Sequence, residues 1–220
     1  MLKLYYHPFA SFCQKALIAL YEKDLAFQPV FIDLGNAEDR ARLKSVWPMI
    51  KFPVLRDETA MRIIPESSLI IEYLDEIAPD RARMIPRDAR AALQARMWDR
   101  FFDGFVAVNV TKVVADRFRP EGRGDPDGVA QATATIAQAL ELFEREIVGR
   151  EWAIGNQFSL ADCSAAPALF YAGTIVPLDG YPHVKAYLQR LLARPSFARV
   201  VEEARPFRHL FPLPWPASYQ

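Results

Sequence analysis

With only two cysteines, Cys13 and Cys163, among 220 residues, the chain cannot build a disulfide framework, which points to a reducing, cytoplasmic setting. Its three histidines, His7, His183 and His209, stand at no spacing from Cys, Asp or Glu that suggests a metal site, so metal catalysis is not expected. Glycine is scarce, at nine residues, and neither G-x-G-x-x-G nor G-K-[ST] occurs, which removes the usual phosphate cradles. Net charge is lacking too: 27 basic residues balance 27 acidic ones, so nothing global recruits nucleic acid or an anionic membrane surface. No uncharged run approaches the roughly 18 apolar residues of a membrane span. Met1-Leu2-Lys3-Leu4-Tyr5-Tyr6 reads as a strand rather than as a signal peptide. No internal repeat or low-complexity tract is present. What remains is a chain with 51% hydrophobic and 25% charged residues, enough for one large or two small soluble cores.

Residues 1–78 alternate in type. Strands are expected at 2–6 and near 27–32, helices at 12–23, 37–46 and about 67–77, with Pro53-Val54-Leu55 as a third strand and Met61-Arg62-Ile63-Ile64 as its hairpin partner. This is a βαβ-ββα domain of α/β type. A proline-bounded linker, Ala78 to Arg87, separates it from an all-α half covering 88–220. There, Leu93, Met97, Phe101, Phe105, Val108 and Val113 recur at helical spacing and predict one long helix over about 88–117, with Trp98 and Phe102 widening its buried face. Arg119 to Gly128 is expected as a loop and Val129 to Val148 as the next helix. Ser159-Leu160-Ala161-Asp162 reads as a capping box with Asp in place of Glu, stapled by Phe158 against Cys163. Two short helices follow, over 184–192 and 197–203. The tail Phe207 to Pro216 holds three prolines and is not expected to be helical.

Two short segments carry the strongest chemical signal. In Lys51-Phe52-Pro53-Val54-Leu55, a proline that cannot donate to a ladder belongs at the first residue of a strand, where it exposes neighbouring backbone to a ligand. In Pro65-Glu66-Ser67-Ser68, carboxylate and hydroxyl residues precede a helix whose free amides favour an anion. Ser11, near the start of the first helix, is either a hydrogen-bond donor to an anion such as a thiolate or simply the N-cap of that helix. Cys13 is either a thiol activated by the helix dipole or an inert buried one; no second cysteine stands near it, since Ala10 holds the outer position of a would-be C-x-x-C pair. Glu66 has an equally bland alternative as a dipole-stabilised acid. The aromatic stripe Trp98, Phe101, Phe102, Phe105 reads as core, whereas Asn109 and Lys112 on the polar side of that helix are placed towards a cleft, and Arg117 and Arg119 in solvent.

The combination of a strand-loop-Ser-helix entry, a Pro-Val-Leu strand, a Glu-Ser-Ser helix start, a proline-bounded linker and a helical half with a Ser-Leu-Ala-Asp box resembles the cytosolic glutathione S-transferase superfamily over essentially the whole chain. The resemblance implies a thioredoxin-like domain that binds glutathione and a helical bundle domain that supplies most of the pocket for a small hydrophobic electrophile. The Ser11 to Lys15 spacing looks like that of serine-type, theta- or zeta-like members, which makes Ser11 the thiol-activating residue and leaves Cys13, as in beta-like members, the alternative. It further implies that Pro53 is cis, that Phe52 pairs its backbone with the cysteinyl part of glutathione, that Glu66 and Ser67 hold the γ-glutamyl amine and carboxylate, and that Lys51 reaches a carboxylate. A homodimer and glutathione-dependent conjugation, or a related isomerase or peroxidase reaction, are expected by resemblance, with a non-catalytic binding or regulatory protein as the alternative. The chain departs from the usual Asn-Pro-x-Gly-Lys-Val-Pro in reading Trp47-Pro48-Met49-Ile50-Lys51-Phe52-Pro53. The tail, with Trp215 and Tyr219, folds either over the electrophile pocket or over the outside.

Overall fold

Alternation along the first strand decides where everything else packs. β1 (Leu2–Tyr6) points Leu2 and Leu4 to one face and Tyr5 to the other. It lies inside a four-stranded sheet of order β2-β1-β3-β4, with β2 (Phe27–Phe31) parallel to it and β3 (Val54–Asp57) antiparallel. β4 (Arg62–Pro65) closes the far edge as a hairpin with β3. Pro29 falls inside β2, which is tolerated because β2 is an edge strand. On the Leu4 face lie α1 (Ser11–Glu22) and α3 (Ser67–Ile77), whose apolar sides merge into the main core. On the Tyr5 face lies α2 (Ala37–Val46), which adds Leu43 and Val46 to a small second core with Ile32 and Val54. Asn36 caps α2 by accepting the Glu38 and Asp39 amides. These elements match the expected βαβ-ββα order. The computed structural model describes residues 1–216 and 219.

The segment between the two halves is held by charge. Lys23, the C-cap of α1, and Asp75 on α3 pair at 2.9 Å in the interior; Lys23 also donates to the Ala78 and Ala82 carbonyls, and Asp75 accepts the Met84 and Ile85 amides. A loop without apolar periodicity is thereby fixed through backbone groups that would otherwise be left unpaired.

The helical half differs from expectation in four places, the first being burial: of the stripe expected to face the core, Trp98, Phe101, Phe102 and Val113 are buried, but Leu93, Met97, Phe105 and Val108 are exposed. The long helix is not continuous α-helix: α4 (Ala89–Phe101) passes through a π-helical stretch, Phe102–Ala107, into α5 (Val108–Asp116). α6 (Pro126–Glu146) starts three residues earlier than the hydrophobic pattern indicated, because Asp125 caps it by accepting the Gly128 amide and Pro126 occupies the first helical position. The tail is entered through a 3₁₀ turn, Arg205–Leu210, which takes Pro206 at its start and ends before Pro212, the first of the three tail prolines. The chain otherwise continues through α7 (Leu160–Ala172), α8 (Pro182–Ala193) and α9 (Pro195–Ala204). α7 is buried along its whole length and packs on both α1 and α4, so it joins the halves. Its N-terminus carries the expected capping box. Phe158 packs edge-on against Trp152 at 5.2 Å and beneath the Arg194 guanidinium at 3.9 Å, while Cys163 meets the Met84 sulfur at 3.8 Å.

Candidate active site

The loop His7-Pro8-Phe9-Ala10 leads from β1 into α1, and its last residue, not Ser11, is the N-cap: the Cys13 and Gln14 amides both donate to the Ala10 carbonyl at 2.9 Å. The reading of Ser11 as the cap is corrected accordingly. Ser11 is instead the first helical residue, half-buried, with its side chain on the wall of a cavity of about 300 Å³. The Ser11 and Phe12 amides precede the first intrahelical bond, so the positive end of the helix dipole faces the same place. Five aromatic residues, Phe9, Phe12, Phe52, Tyr171 and Phe211, make most of this cavity. α5 contributes Val110, Thr111 and Val114. Asn109 and Lys112 do not face it: Asn109 folds back to donate to the Phe105 carbonyl at 3.0 Å, and Lys112 pairs with Asp125.

A second cavity of about 230 Å³ opens alongside and shares Phe12 and Phe52 with the first. Lys51, Phe52, Pro53, Glu66 and Ser67 all line it. Strand register explains why segments so far apart in sequence meet: Val54 pairs with Pro65, so the residues before β3 lie beside those after β4. The Phe52–Pro53 peptide bond is cis. Glu66 sits at φ 68°, a left-handed conformation that costs a residue with a Cβ about 1–3 kcal/mol. It makes no cap hydrogen bond with its side chain, which leaves the exposed carboxylate available beside the free amides at the start of α3. Ile50, at φ 53°, is a second outlier and a β-branched one. The Trp47–Ile50 turn, closed by the Ile50 amide on the Trp47 carbonyl at 3.0 Å, places the Trp47 side chain on the wall of this cavity.

Cys13 lies apart from both cavities. Its side chain is fully buried, and burial pushes its thiol far above the ordinary cysteine range. A thiol so placed supplies no thiolate at neutral pH.

Beneath the second cavity is a charged cluster that spacing alone did not reveal. Lys15, 1% exposed, places its ammonium 2.5 Å from Asp99 and 2.7 Å from Asp103, and donates to Ser68 Oγ at 2.8 Å. Ser68 and Ser164 donate in turn to the two oxygens of Asp99. The π-helical stretch turns Asp103 inward; burial raises its carboxyl pKa, Lys15 lowers it and Asp99 raises it, with burial prevailing. Tyr171 and Phe211 were likewise missed in sequence, because an aromatic residue in a wholly buried helix or a proline-rich tail carries no local sign of facing a cavity.

A hydroxyl and two free amides at a helix N-terminus, on the wall of an apolar cavity that adjoins one with a carboxylate, a hydroxyl and a lysine, can hold a small anion such as a thiolate without a metal. Among the described residues no helix is long and apolar enough to cross a membrane. Comparison with known proteins accounts for both halves. The family model for the glutathione S-transferase N-terminal domain matches residues 4–82, and that for the C-terminal domain matches 111–195. Glutathione S-transferase 3 of Zea mays is 29% identical over 99% of this chain and 97% of its own length. The glutathione S-transferase-like protein LUC7 of Fusarium sp is 30% identical over 64% of this chain, and that match spans 62% of the Fusarium protein. A glutathione S-transferase from Methylobacillus flagellatus, solved with GSH bound, superposes with a TM-score of 0.84 at 25% identity, covering 91% of this chain and 98% of that one. The chain therefore belongs to the glutathione S-transferase superfamily.

Proposed function

We propose that the protein is a serine-type glutathione transferase that activates the thiol of glutathione for attack on a small, uncharged, aromatic or otherwise apolar electrophile. The observation that carries this reading is the meeting of two unlike cavities at Phe12 and Phe52, with Ser11, the neighbour of Phe12, lining the apolar one. By charge, Glu66, Ser67 and the amides of α3 suit the zwitterionic γ-glutamyl end of the peptide, and Lys51 suits its lone carboxylate. The Phe52 backbone beside cis-Pro53 suits the cysteinyl part, which brings the thiol to Ser11. The Ser11 hydroxyl donates to the thiolate, and the dipole of α1 lowers the thiol pKa further. The described lining of the first cavity carries no cation, which favours a neutral electrophile over a dicarboxylate such as an isomerase would take. Glutathione is the cosubstrate and no metal enters. Cytoplasmic residence is part of the same reading and rests on two free, buried thiols.

Retention on immobilised glutathione, released by millimolar free glutathione, is the expected first result; a chain that passes through unretained has another function. With a benzyl or aryl halide, Ser11→Ala should lower kcat by about 10- to 100-fold, since a hydrogen bond to a charged group contributes about 1.5–3 kcal/mol. The same variant should raise the apparent pKa of the bound thiol, read from the pH dependence of kcat. Cys13→Ala should leave both unchanged. The reverse ranking would transfer the role to Cys13.

We also infer a homodimer. Leu69 on α3 and Leu93 and Met97 on α4 are 54%, 68% and 47% exposed, and they surround the bidentate Glu72–Arg96 pair that bridges the two helices. Apolar residues grouped this way on one face fit a second copy. Met97→Glu should convert a dimer to a monomer in sedimentation or light scattering; an unchanged mass for the variant would move the interface elsewhere.

A further inference from the structure

Phe9 is the residue through which both halves grip the entry to α1. Its amide donates to His7 Nδ1 at 3.1 Å, and its carbonyl accepts the Tyr171 hydroxyl at 2.9 Å. Gln14 completes the clamp by donating to the Pro8 carbonyl and to Tyr171. The ring of Phe9 lines the cavity beside Ser11 and packs edge-on against Phe211 and Trp215 of the tail. His7 grips the tail as well. Its ring lies 4.8 Å from Phe207 and 5.0 Å from Phe31, and those two phenyl rings stack on each other at 5.7 Å. The same imidazole thus fixes Phe9 by a hydrogen bond and seats, through Phe207, the tail that brings Phe211 to the cavity wall.

We propose that His7 is a positioning residue for the electrophile: in its neutral form it holds Phe9 and the Phe207–Phe211 tail in the places that shape the second-substrate cavity. This rests on the assignment of that cavity to the electrophile. The acceptor role requires Nδ1 to be unprotonated, so the proton of the neutral ring is on Nε2. Protonation places a donor on Nδ1 opposite the Phe9 amide, two donors face each other, and the bond is lost. The groups around the ring set where this happens. Phe31, Phe52 and Phe207, from β2, the segment before β3 and the tail, carry no charge; Arg208, next to Phe207, turns instead to the Trp215 ring at 5.1 Å. Cys13 on α1 approaches the His7 backbone as a neutral thiol. Asp33, beyond β2, is the charge that favours the imidazolium, and burial of the ring opposes and outweighs it. The neutral form therefore prevails at pH 7, and acidification loosens the wall at Phe9 and Phe211.

The test compares two thioethers that carry no titrating thiol, S-benzylglutathione and S-methylglutathione, by calorimetric titration of the intact protein. Their affinity ratio reports the aryl group in the second cavity alone. At pH 7.5 the wild type should prefer the benzyl compound by about 10-fold or more, from burial of the ring. Because burial lowers the His7 pKa, the ratio is followed downwards to about pH 4.5, well below the ordinary histidine value, and should fall at least about threefold by that point while S-methylglutathione affinity stays level. His7→Asn, whose non-titrating Oδ1 takes the place of Nδ1 as acceptor for the Phe9 amide, should retain the ratio at both pH values, and His7→Phe, which keeps a ring against Phe207 but no acceptor, should show the reduced ratio at both. A pH-independent ratio in the wild type, or a wild-type ratio in His7→Phe, overturns the role of His7 while leaving the glutathione reading intact. Failure of the wild type to bind either thioether overturns both.

Discussion

Asp162→Ala is expected to cost about 3–6 kcal/mol and to leave the helical half unable to hold its fold at moderate temperature. The carboxylate has no solvent exposure and accepts four hydrogen bonds: from the Ala153 amide at 2.8 Å, the Ser159 amide at 2.8 Å, the Ser159 hydroxyl at 3.0 Å and the Tyr187 hydroxyl at 2.6 Å. Three separate segments converge on it. The capping box alone contributes about 1–2 kcal/mol. The larger part comes from what alanine leaves behind, since each buried donor stripped of its acceptor costs about 1–3 kcal/mol. Tyr187 and Ala153 cannot turn to water, because both are fully buried. Asp162→Asn keeps one acceptor oxygen but sets an amide NH₂ against the donors around the other, so an intermediate loss is expected. Urea unfolding midpoints of the three proteins give the ranking. An Asp162→Ala midpoint within error of wild type would show that the capping box is ornamental and that α7 is held by apolar packing alone.

Asp162 was legible in sequence because its signal is local: a Ser, an acid three residues on and an apolar run afterwards. The same holds for β3, β4 and α3, where Pro53, the Met61–Ile64 run and Glu66-Ser67-Ser68 mark their own boundaries, and where chain register then brings Lys51 to Pro53 beside Glu66 and Ser67. The π-helical turn at Phe102–Ala107 left no such mark. Its hydrophobic spacing of three, four and five residues is compatible with an unbroken α-helix, and the group that Asp103 meets from within it is a charge on α1, far away in sequence, the Lys15 ammonium at 2.7 Å. Asn109 and Lys112 were misplaced for the same reason, since one extra residue in the turn rotates everything that follows, and Val110, Thr111 and Val114 take the cavity instead. Ser11 failed as a cap because capping depends on the φ and ψ of the preceding loop, and there Ala10 adopts the extended cap conformation with no polar side chain to announce it. Contacts that join the two halves, such as His7 to Phe207 and Tyr171 to Phe9, are matters of tertiary packing and have no sequence period.

Lys15→Met tests that distant charge directly. Removing one partner of a buried pair leaves its counter-charge uncompensated and costs about 3–5 kcal/mol; here Asp99 and Asp103 are both left behind, with only Ser68 and Ser164 to solvate them. The loss should depend on pH, and the sign follows from Asp103. Burial and Asp99 hold its folded-state pKa above the ordinary value of 3.8, and Lys15 is the group that pulls it back. Without Lys15 the folded-state pKa rises further. A carboxyl that binds its proton more tightly in the folded state loses stability as pH rises from the unfolded pKa through the folded one. The deficit of Lys15→Met should therefore be greatest near pH 7 and shrink towards about pH 4–5, where Asp103 takes up a proton and the cluster becomes less negative. Asp103→Asn added to Lys15→Met should recover part of the neutral-pH loss by removing one of the stranded charges, although on its own it forfeits an ion pair. Unfolding midpoints at the two pH values decide between explanations: a deficit that is the same at both assigns the role of Lys15 to the packing of its long side chain, and one that shrinks with acid assigns it to charge. Because Ser68 links this cluster to Ser67 on the wall of the second cavity, Lys15→Met should also weaken glutathione binding at pH 7 without any direct contact, and regain affinity under the same acidic conditions that restore its stability.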